Sequence, residues 1–181
     1  MTQKPLEDDI LMLRAIEVTD VDRVLAWEND SSQWDTTNTN APFSRKQLWD
    51  YAVNYENNIF ATGNLRLMAI EKTSGNCIGC VDIFNFNHFH NRAEVGIYID
   101  TNHRRRGFGS HAVGIALNYA CNFLGLKQIV AEVAADNVAS LNMLSNCGFT
   151  KCATLKCWFR RSDSYSDGIL MQYLRKGTSI N

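Results

Sequence analysis

A basic turn with two glycines at residues 104–109 constrains the fold of this chain more than any other segment. Its sequence is Arg-Arg-Arg-Gly-Phe-Gly. The apolar run at 95–99 before it is typical of a strand, and the run at 110–124 after it is typical of a helix. Glycines let the backbone approach a ligand closely, and a helix start points N–H groups at an anion. The segment therefore predicts a strand–turn–helix unit that holds a phosphate.

The rest of the chain predicts a mixed α/β arrangement. Periodicity, capping residues and turn residues separate the segments from one another. We expect residues 30–42 to form an irregular polar loop, and the order β-α-α-β-β-β-α-β-α-β-β indicates one domain over residues 1–181. Strands are expected at 11–16, 65–71, 77–86, 93–99, 127–134, 149–159 and 168–174, and helices at 19–29, 44–55, 110–124 and 137–148.

Charge and hydropathy exclude several classes of partner. The formal net charge is -1, so no overall field favours nucleic acid or an anionic membrane. No apolar run approaches the ~20 residues needed to span a bilayer. The first nine residues lack the apolar core of a signal peptide, so a cytoplasmic location is the expectation.

Cysteines and histidines do not predict a metal site. Cys77 and Cys80 have C-x-x-C spacing, but no second pair follows, so burial as small apolar side chains is expected. His88 and His90 alone are an insufficient ligand set, and no metal is expected. The expectation of burial extends to the other four cysteines, which are Cys121, Cys147, Cys152 and Cys157.

Two motifs in their expected order carry a family resemblance. The turn matches (Gln/Arg)-x-x-Gly-x-(Gly/Ala), and further along the chain Asn-x-x-(Ala/Ser) is followed by Gly-Phe. The chain thereby resembles the GNAT superfamily of N-acetyltransferases over nearly its whole length. The resemblance implies a GNAT fold: a single mixed, mostly antiparallel sheet flanked by helices and splayed between the fourth and fifth strands. The motif residues are Arg104, Gly107 and Gly109, then Asn137, Ser140, Gly148 and Phe149.

Two further segments resemble one branch of that superfamily. Residues 87–94 are similar to the segment before the cofactor strand of spermidine acetyltransferases. Leu155-Lys156, followed by a polar turn, resembles the end of both the spermidine and the ribosomal-protein alanine acetyltransferases. The acceptor therefore stays open between a polyamine, a protein N-terminus and another small amine.

The resemblance implies acetyl-CoA as the phosphorylated ligand. Its pyrophosphate is expected on the turn, with charge from Arg104, Arg105 and Arg106. The pantetheine arm is expected to pair with the backbone of Ile97, Tyr98 and Ile99 as an added strand. Residues 137–146 are expected at the thioester end. The remaining cofactor-binding candidates are Gly107, Phe108, Gly109, Ser110, Asn137, Ser140 and Leu144.

Acetyl transfer needs an acid for the leaving thiolate and a base for the attacking amine. Spermidine-type enzymes have a tyrosine where this chain has Leu144. The alanine branch has a serine, which is Ser140 here, paired with a glutamate whose position is taken by Phe159. Ser140 is therefore the candidate acid, although a serine near a helix start also serves as a cap. Glu94 is the candidate base, with an ion pair to Arg92 or to an arginine of the turn as the alternative.

Acceptor substrates of this family contact the first two helices and the loop between them. The acids and aromatic rings in that region suit a cationic amine. Asp82, on the strand next to Glu94, is a second candidate base and a candidate acceptor residue. Tyr98 and Tyr119 could donate protons, but packing is favoured for both. The acceptor candidates are Trp27, Glu28, Asp30, Trp34 and Asp35.

Two other functions compete with acetyl transfer. Leu144 and Phe159 occupy the two positions where this chain lacks the tyrosine and the glutamate of the related enzymes. They motivate the alternative of an acetyl-CoA-binding module without transfer activity. A nucleotide-binding P-loop is disfavoured, because G-x-x-x-x-G-K-[ST] is absent from the sequence. A homo-oligomer is compatible with the sequence but is not indicated by any motif.

Overall fold

One mixed sheet organises the computed structural model, which describes residues 5–36, 39–161 and 163–177, without the side chains of residues 35 and 36. Seven strands in the described ranges have the order β1-β2-β3-β4-β5-β7-β6. The strands are β1 Leu11–Ala15, β2 Leu65–Glu71, β3 Cys77–Asn87, β4 Arg92–Ile99, β5 Gln128–Ala134, β6 Thr150–Arg160 and β7 Tyr165–Leu174. The α-helices are α1 Val21–Glu28, α2 Arg45–Val53, α3 Ile59–Thr62, α4 Phe108–Leu117 and α5 Val138–Asn146.

The sheet is antiparallel except at its centre. β4 and β5 run parallel, and their pairing comprises only three residue pairs, from Arg92↔Gln128 to Glu94↔Val130. Each strand is held on its other edge by seven antiparallel pairs, β4 by β3 and β5 by β7. The two strands therefore separate after Glu94, and the prediction of a mixed, mostly antiparallel sheet splayed at this point is confirmed.

Helices cover both faces of the sheet. On one face, which we call the α4 face, β4 contributes Ala93 and Val95 to a buried core with α4 and α5. On the opposite face, the α1 face, α1 and α2 pack against Met68 and Cys80 of β2 and β3. Alternation along β4 directs Glu94 and every second residue after it to the α1 face.

Helix predictions agree with the structure except in short segments. α4 begins at Phe108 and continues into a π-helical turn at Asn118–Phe123. The expected polar loop contains a 3-10 helix at Ser31–Thr36, and α3 was not predicted. Both segments are too short for a hydrophobic period to identify them. In the described ranges, no helix is long and apolar enough to cross a membrane.

The expectation of buried cysteines is only partly confirmed. Cys77, Cys80 and Cys121 are buried, whereas Cys147 is half-buried. For Cys152 and Cys157 the prediction is wrong, because both are exposed on β6, an edge strand. All six thiols are free. Among the residues that the structure describes, no His, Cys, Asp and Glu side chains form a group of three that could hold a metal ion.

Asp20, at the start of α1, is a buried charge. Its side chain is 4% exposed, and Arg14 of β1 donates two hydrogen bonds to it at 2.7 and 2.9 Å. The backbone N–H of Glu17 donates a third at 2.9 Å. Burial raises the pKa of Asp20, but the bonds from Arg14 and Glu17 outweigh burial and leave the pKa below its ordinary value. This carboxylate joins the first strand to the first helix.

Asp20→Ala is expected to lower the free energy of unfolding by about 3 kcal/mol, because it removes one partner of a buried ion pair. Urea denaturation measures this loss. The matched control is Asp22→Ala, whose pair with Arg45 is exposed on both sides, with an expected loss below about 1 kcal/mol. Equal losses in the two variants would contradict the role given to Asp20.

The same pair has an expected pH signature. Because the folded pKa of Asp20 lies below the ordinary value of 3.8, its stabilisation is present above that pH and is lost as the pH falls through the folded pKa. Thermal melts of the wild type from pH 6 down to pH 2 should show this loss. The Asp20→Ala variant should not show this part of the loss of stability at low pH.

Candidate functional site

The separation of β4 from β5 leaves one edge of β4 open. Asp100 N–H donates to Ile78 O at 2.9 Å, so the even-numbered residues of β4 direct their backbone groups to β3. The N–H and C=O groups of Ile97 and Ile99 therefore face the gap. A strand edge of this kind can accept an extended ligand with amide groups.

The glycine turn lies where this open edge ends. Gly107 has φ +83°, a left-handed conformation, and precedes the first residue of α4. Its carbonyl accepts from Ser110 N–H at 3.0 Å, which leaves the first N–H groups of α4, at Phe108 and Gly109, without an intrahelical partner. Phe108 is 5% exposed and anchors the helix start in the core. The turn has the geometry of an anion site.

Gly109 permits close packing of α4 on α5. A Cβ at this position would lie 2.6 Å from Met143 Sδ and 4.0 Å from Ile99 Cγ1. Cys147 Sγ, at the end of α5, lies 3.8 Å from Ser110 O. α5 is thereby held beside the glycine turn and the end of β4.

The three arginines of the turn differ in position. Arg104 is directed back onto β4, where its Nε donates to Ile99 O at 2.8 Å. Arg106 pairs with Glu71 at 3.1 Å and lies 4.7 Å from the centre of the Phe108 ring. Arg105 is exposed and has φ +62°. The side chains of Arg104 and Arg106 thus already have protein partners.

The residues of α5 adopt distinct roles. Asn137 caps the helix, because its Oδ1 accepts from Ser140 N–H at 3.1 Å. The Ser140 hydroxyl is half-buried and makes no hydrogen bond with another described residue. Leu144 is 3% exposed and belongs to the core on the α4 face. Its side chain packs beneath the site instead of lining it.

Glu94 lies at the point where the two central strands separate. It is the last residue of β4 that pairs with β5, and its side chain is on the α1 face. Its Oε1 accepts from Asn85 Nδ2 at 3.0 Å, so the structure shows this amide as its partner and not Arg92, which the alternative interpretation names. The carboxylate is half-buried.

A half-buried arginine organises the acids on the same face. Arg66 of β2 donates to both oxygens of Asp82, at 2.7 and 2.9 Å, and to Glu28 Oε1 at 2.9 Å. Its backbone N–H donates to the Tyr55 hydroxyl. Burial lowers the pKa of Arg66, but the bonds and charge of Asp82 outweigh burial and raise it. The cluster holds two negative charges and one positive charge.

Aromatic side chains of α1, β4 and the 3-10 helix lie close to this face. Trp27 contacts Tyr98 with ring centres 5.2 Å apart, and its Nε1 donates to Asp100 at 3.3 Å. Trp34 Nε1 donates to Glu28 O at 2.9 Å. Burial raises the pKa of Tyr98. The side chain of Asp35, also expected here, lies outside the described part of the structure.

Other expected residues lie away from the gap. Tyr119 stacks on Phe123 in the π-helical turn at the far end of α4. Phe159 is in the edge strand β6, with Arg161 Cζ 5.8 Å from its ring centre. His88 packs against Phe86 and Phe60 with ring centres 6.4 and 5.5 Å away, an aromatic contact and not a ligand geometry.

Sequence analysis missed Arg66. Its signal is a single arginine inside an apolar strand, between the buried Leu65 and Leu67. An isolated charge in such a run requires a partner, but the sequence does not say which acids supply it. Only the pairing of β2 with β3 places Asp82 directly opposite.

Comparisons with known proteins agree with this geometry. The family model for the acetyltransferase (GNAT) domain matches residues 11–150. The spermidine N(1)-acetyltransferase of Vibrio cholerae serotype O1 is 28% identical over 116 residues. That match covers 64% of this chain and 66% of the relative, so the chain spans just under two thirds of that relative's length.

Solved structures are similar over a longer stretch. The crystal structure of spermidine N-acetyltransferase from Vibrio cholerae in complex with CoA and spermine is 26% identical, with a TM-score of 0.81, and the match covers 92% of this chain and 96% of that one. A dodecameric structure of the Vibrio enzyme is 27% identical with a TM-score of 0.76, over 92% and 95% of the two chains.

The glycine before α4 and a glycine inside it provide a test of the turn. Gly107→Ala is expected to destabilise the protein by about 1 kcal/mol, because an alanine is strained in the left-handed region. Gly114→Ala, at an exposed position inside α4 with nothing near the new Cβ, should stabilise it by about 0.5–1 kcal/mol. Urea titration of both variants measures the difference. If both substitutions changed the free energy of unfolding in the same direction, the conformation described for Gly107 would be contradicted.

Proposed function

This chain belongs to the acetyltransferase (GNAT) family, and we propose that it transfers the acetyl group of acetyl-CoA to a primary amine by direct attack in a ternary complex. The observation that carries the proposal is the open edge of β4, which ends at an anion-binding helix start. Pantetheine contains amides that can pair with such an edge, and pyrophosphate is an anion of the kind a helix start binds.

The donor is expected to enter the gap between β4 and β5. Ile97 and Ile99 offer backbone groups to the pantetheine arm, and the N–H groups at the start of α4 bind the pyrophosphate. The thioester then lies near the point of separation, between Glu94 of β4 and the first turn of α5. The Vibrio neighbour that was crystallised with CoA and spermine supports this assignment of the donor.

The acceptor that we favour is a polyamine. The relatives named as spermidine acetyltransferases support it, and so does the α1 face, where Glu28, Asp82 and Glu94 lie among aromatic rings. Arg66 neutralises one of those charges, which leaves a net negative surface for an ammonium group. A protein N-terminus carries only one ammonium group. It would therefore pair with fewer of the three carboxylates than a polyamine would.

The positions of Glu94 and Ser140 support a role for each in proton transfer. Glu94 accepts the proton of the attacking amine through a water molecule, while the amine nitrogen bonds to the thioester carbon. The carbon–sulfur bond then breaks, and the Ser140 hydroxyl delivers a proton to the thiolate. Holding amine and thioester in line supplies most of the acceleration.

Self-association is part of the proposal. The Vibrio neighbour with a TM-score of 0.76 is dodecameric. We expect a homo-oligomer for this chain as well, which size-exclusion chromatography with light scattering would show.

Acetylation of spermidine and spermine is the expected activity. The assay follows CoA release with a thiol reagent and identifies the product by mass spectrometry, offering polyamines, amino acids, aminoglycosides and N-terminal peptides in parallel. Acetylated polyamine supports the proposal, and acetylated peptide alone would move the acceptor to a protein N-terminus. Tight acetyl-CoA binding by calorimetry without turnover on any amine would leave a binding module, and no binding would end the proposal.

Glu94→Gln is expected to lower kcat by about 100-fold while the KM for acetyl-CoA stays close to the wild-type value, because only proton transfer is lost. Steady-state kinetics across pH 6–9 measure this change. The matched control is Glu56→Gln, an exposed carboxylate in the loop before α3, which should retain wild-type kcat. An equal activity of Glu94→Gln and the control would exclude Glu94 as the base.

A further inference from the structure

Arg104 contacts segments on both sides of the gap that the two substrates are proposed to share. Its Nε donates to Ile99 O, at the end of β4, at 2.8 Å. Its Nη2 donates to Gln33 Oε1 at 3.2 Å. Gln33 lies in the 3-10 helix Ser31–Thr36, which follows α1 on the acceptor side. One guanidinium therefore joins the glycine turn, the cofactor strand and the acceptor helix.

Aromatic contacts extend this connection to α1. The Arg104 guanidinium lies 5.6 Å from the centre of the Tyr98 ring, and Tyr98 contacts Trp27 with ring centres 5.2 Å apart. Trp27 belongs to α1, and its Nε1 donates to Asp100 just after β4. A cation held over a tyrosine ring contributes a modest attraction at an exposed site. The row Arg104–Tyr98–Trp27 connects the end of β4 to the end of α1.

The carbonyl that Arg104 binds is on the open edge of β4. An extended ligand paired with Ile97 and Ile99 would lie directly beside the guanidinium. Occupation of this edge and the position of Arg104 therefore depend on each other. A change on the cofactor side can therefore reach Gln33 through the Arg104 side chain.

We propose that Arg104 is a positioning residue that couples cofactor binding to the acceptor surface, and not a ligand of the pyrophosphate. A cofactor on the β4 edge stabilises the arrangement in which Arg104 holds the 31–36 helix against the end of β4. That helix in turn positions Trp34, whose indole contacts Glu28 O. The inference rests on the proposed function for the identity of the two ligands.

Calorimetry of CoA and spermine binding tests the coupling. The quantity measured is the ratio of the spermine Kd without CoA to that with CoA, which we expect to be at least about fivefold in the wild type. Arg104→Ala and Gln33→Ala should each bring the ratio close to one, with CoA Kd changed by less than about threefold. The double variant should equal Arg104→Ala, because both substitutions remove one shared contact.

Arg105→Ala is the comparator within the same turn. Arg105 is exposed, and its neutralisation is expected to weaken CoA binding while the coupling ratio stays at the wild-type value. A CoA Kd that rises more than about tenfold in Arg104→Ala, with the ratio unchanged, would make Arg104 a pyrophosphate ligand and overturn the proposal. Additive effects of the Arg104 and Gln33 substitutions would also overturn it.

Hydrogen–deuterium exchange separates this inference from the proposed function. CoA should slow amide exchange of residues 31–36 in the wild type and leave α2 unchanged as an internal control. The slowing should be lost in Arg104→Ala and in Gln33→Ala, the latter being outside both β4 and the glycine turn. If spermine does not bind, the proposed acceptor fails but this measurement still decides the coupling. Unchanged exchange of residues 31–36 in the wild type would refute it.

Discussion

The short parallel contact between β4 and β5 is the constraint on which the rest of the site depends. Three residue pairs join the strands, and each strand is then held away by seven antiparallel pairs with its outer neighbour. A longer parallel ladder would use the N–H and C=O groups of Ile97 and Ile99 inside the sheet. Because the ladder stops at Glu94, those groups have no strand partner on that edge, where Ile99 O accepts from Arg104, and the glycine turn at the end of β4 lies next to them.

β4 serves two environments through its alternation. Ala93 and Val95 pack into the core with α4, whereas Glu94 and Tyr98 face α1 and α2. The open edge of β4 is a third surface, which lies between the α4 face and the α1 face. A single strand of eight residues therefore carries the proposed donor edge, the candidate base and part of the proposed acceptor face. The charged cluster of Arg66, Asp82 and Glu28 lies on β2, β3 and α1.

Prediction succeeded where a local signal was decisive. The strand–turn–helix unit around Gly107 and the helix expected from residue 44, which begins with a capping box of Ser44 and Gln47, depend on residues close in sequence. Prediction failed where the exposure of a side chain depends on the neighbouring strand in the sheet. Cys152 and Cys157 are exposed because β6 is an edge strand, and no pattern within β6 states its place in the sheet. α3 has four residues, which are too few to show the hydrophobic period of a helix.

By itself, the sequence determined the order of the seven strands and the four longer α-helices, the two motifs and hence the proposed donor side of the site. Those features are local, since they depend on backbone conformation and on spacing along the chain. Only the tertiary structure decided where the side chains of the turn are directed. Arg104 has the same sequence context as Arg105, yet it lies on Ile99 and Gln33, residues 5 and 71 positions away. The partners of Arg66 and Glu94 were decided in the same way, because strand register and helix packing bring together charges that the chain itself keeps apart.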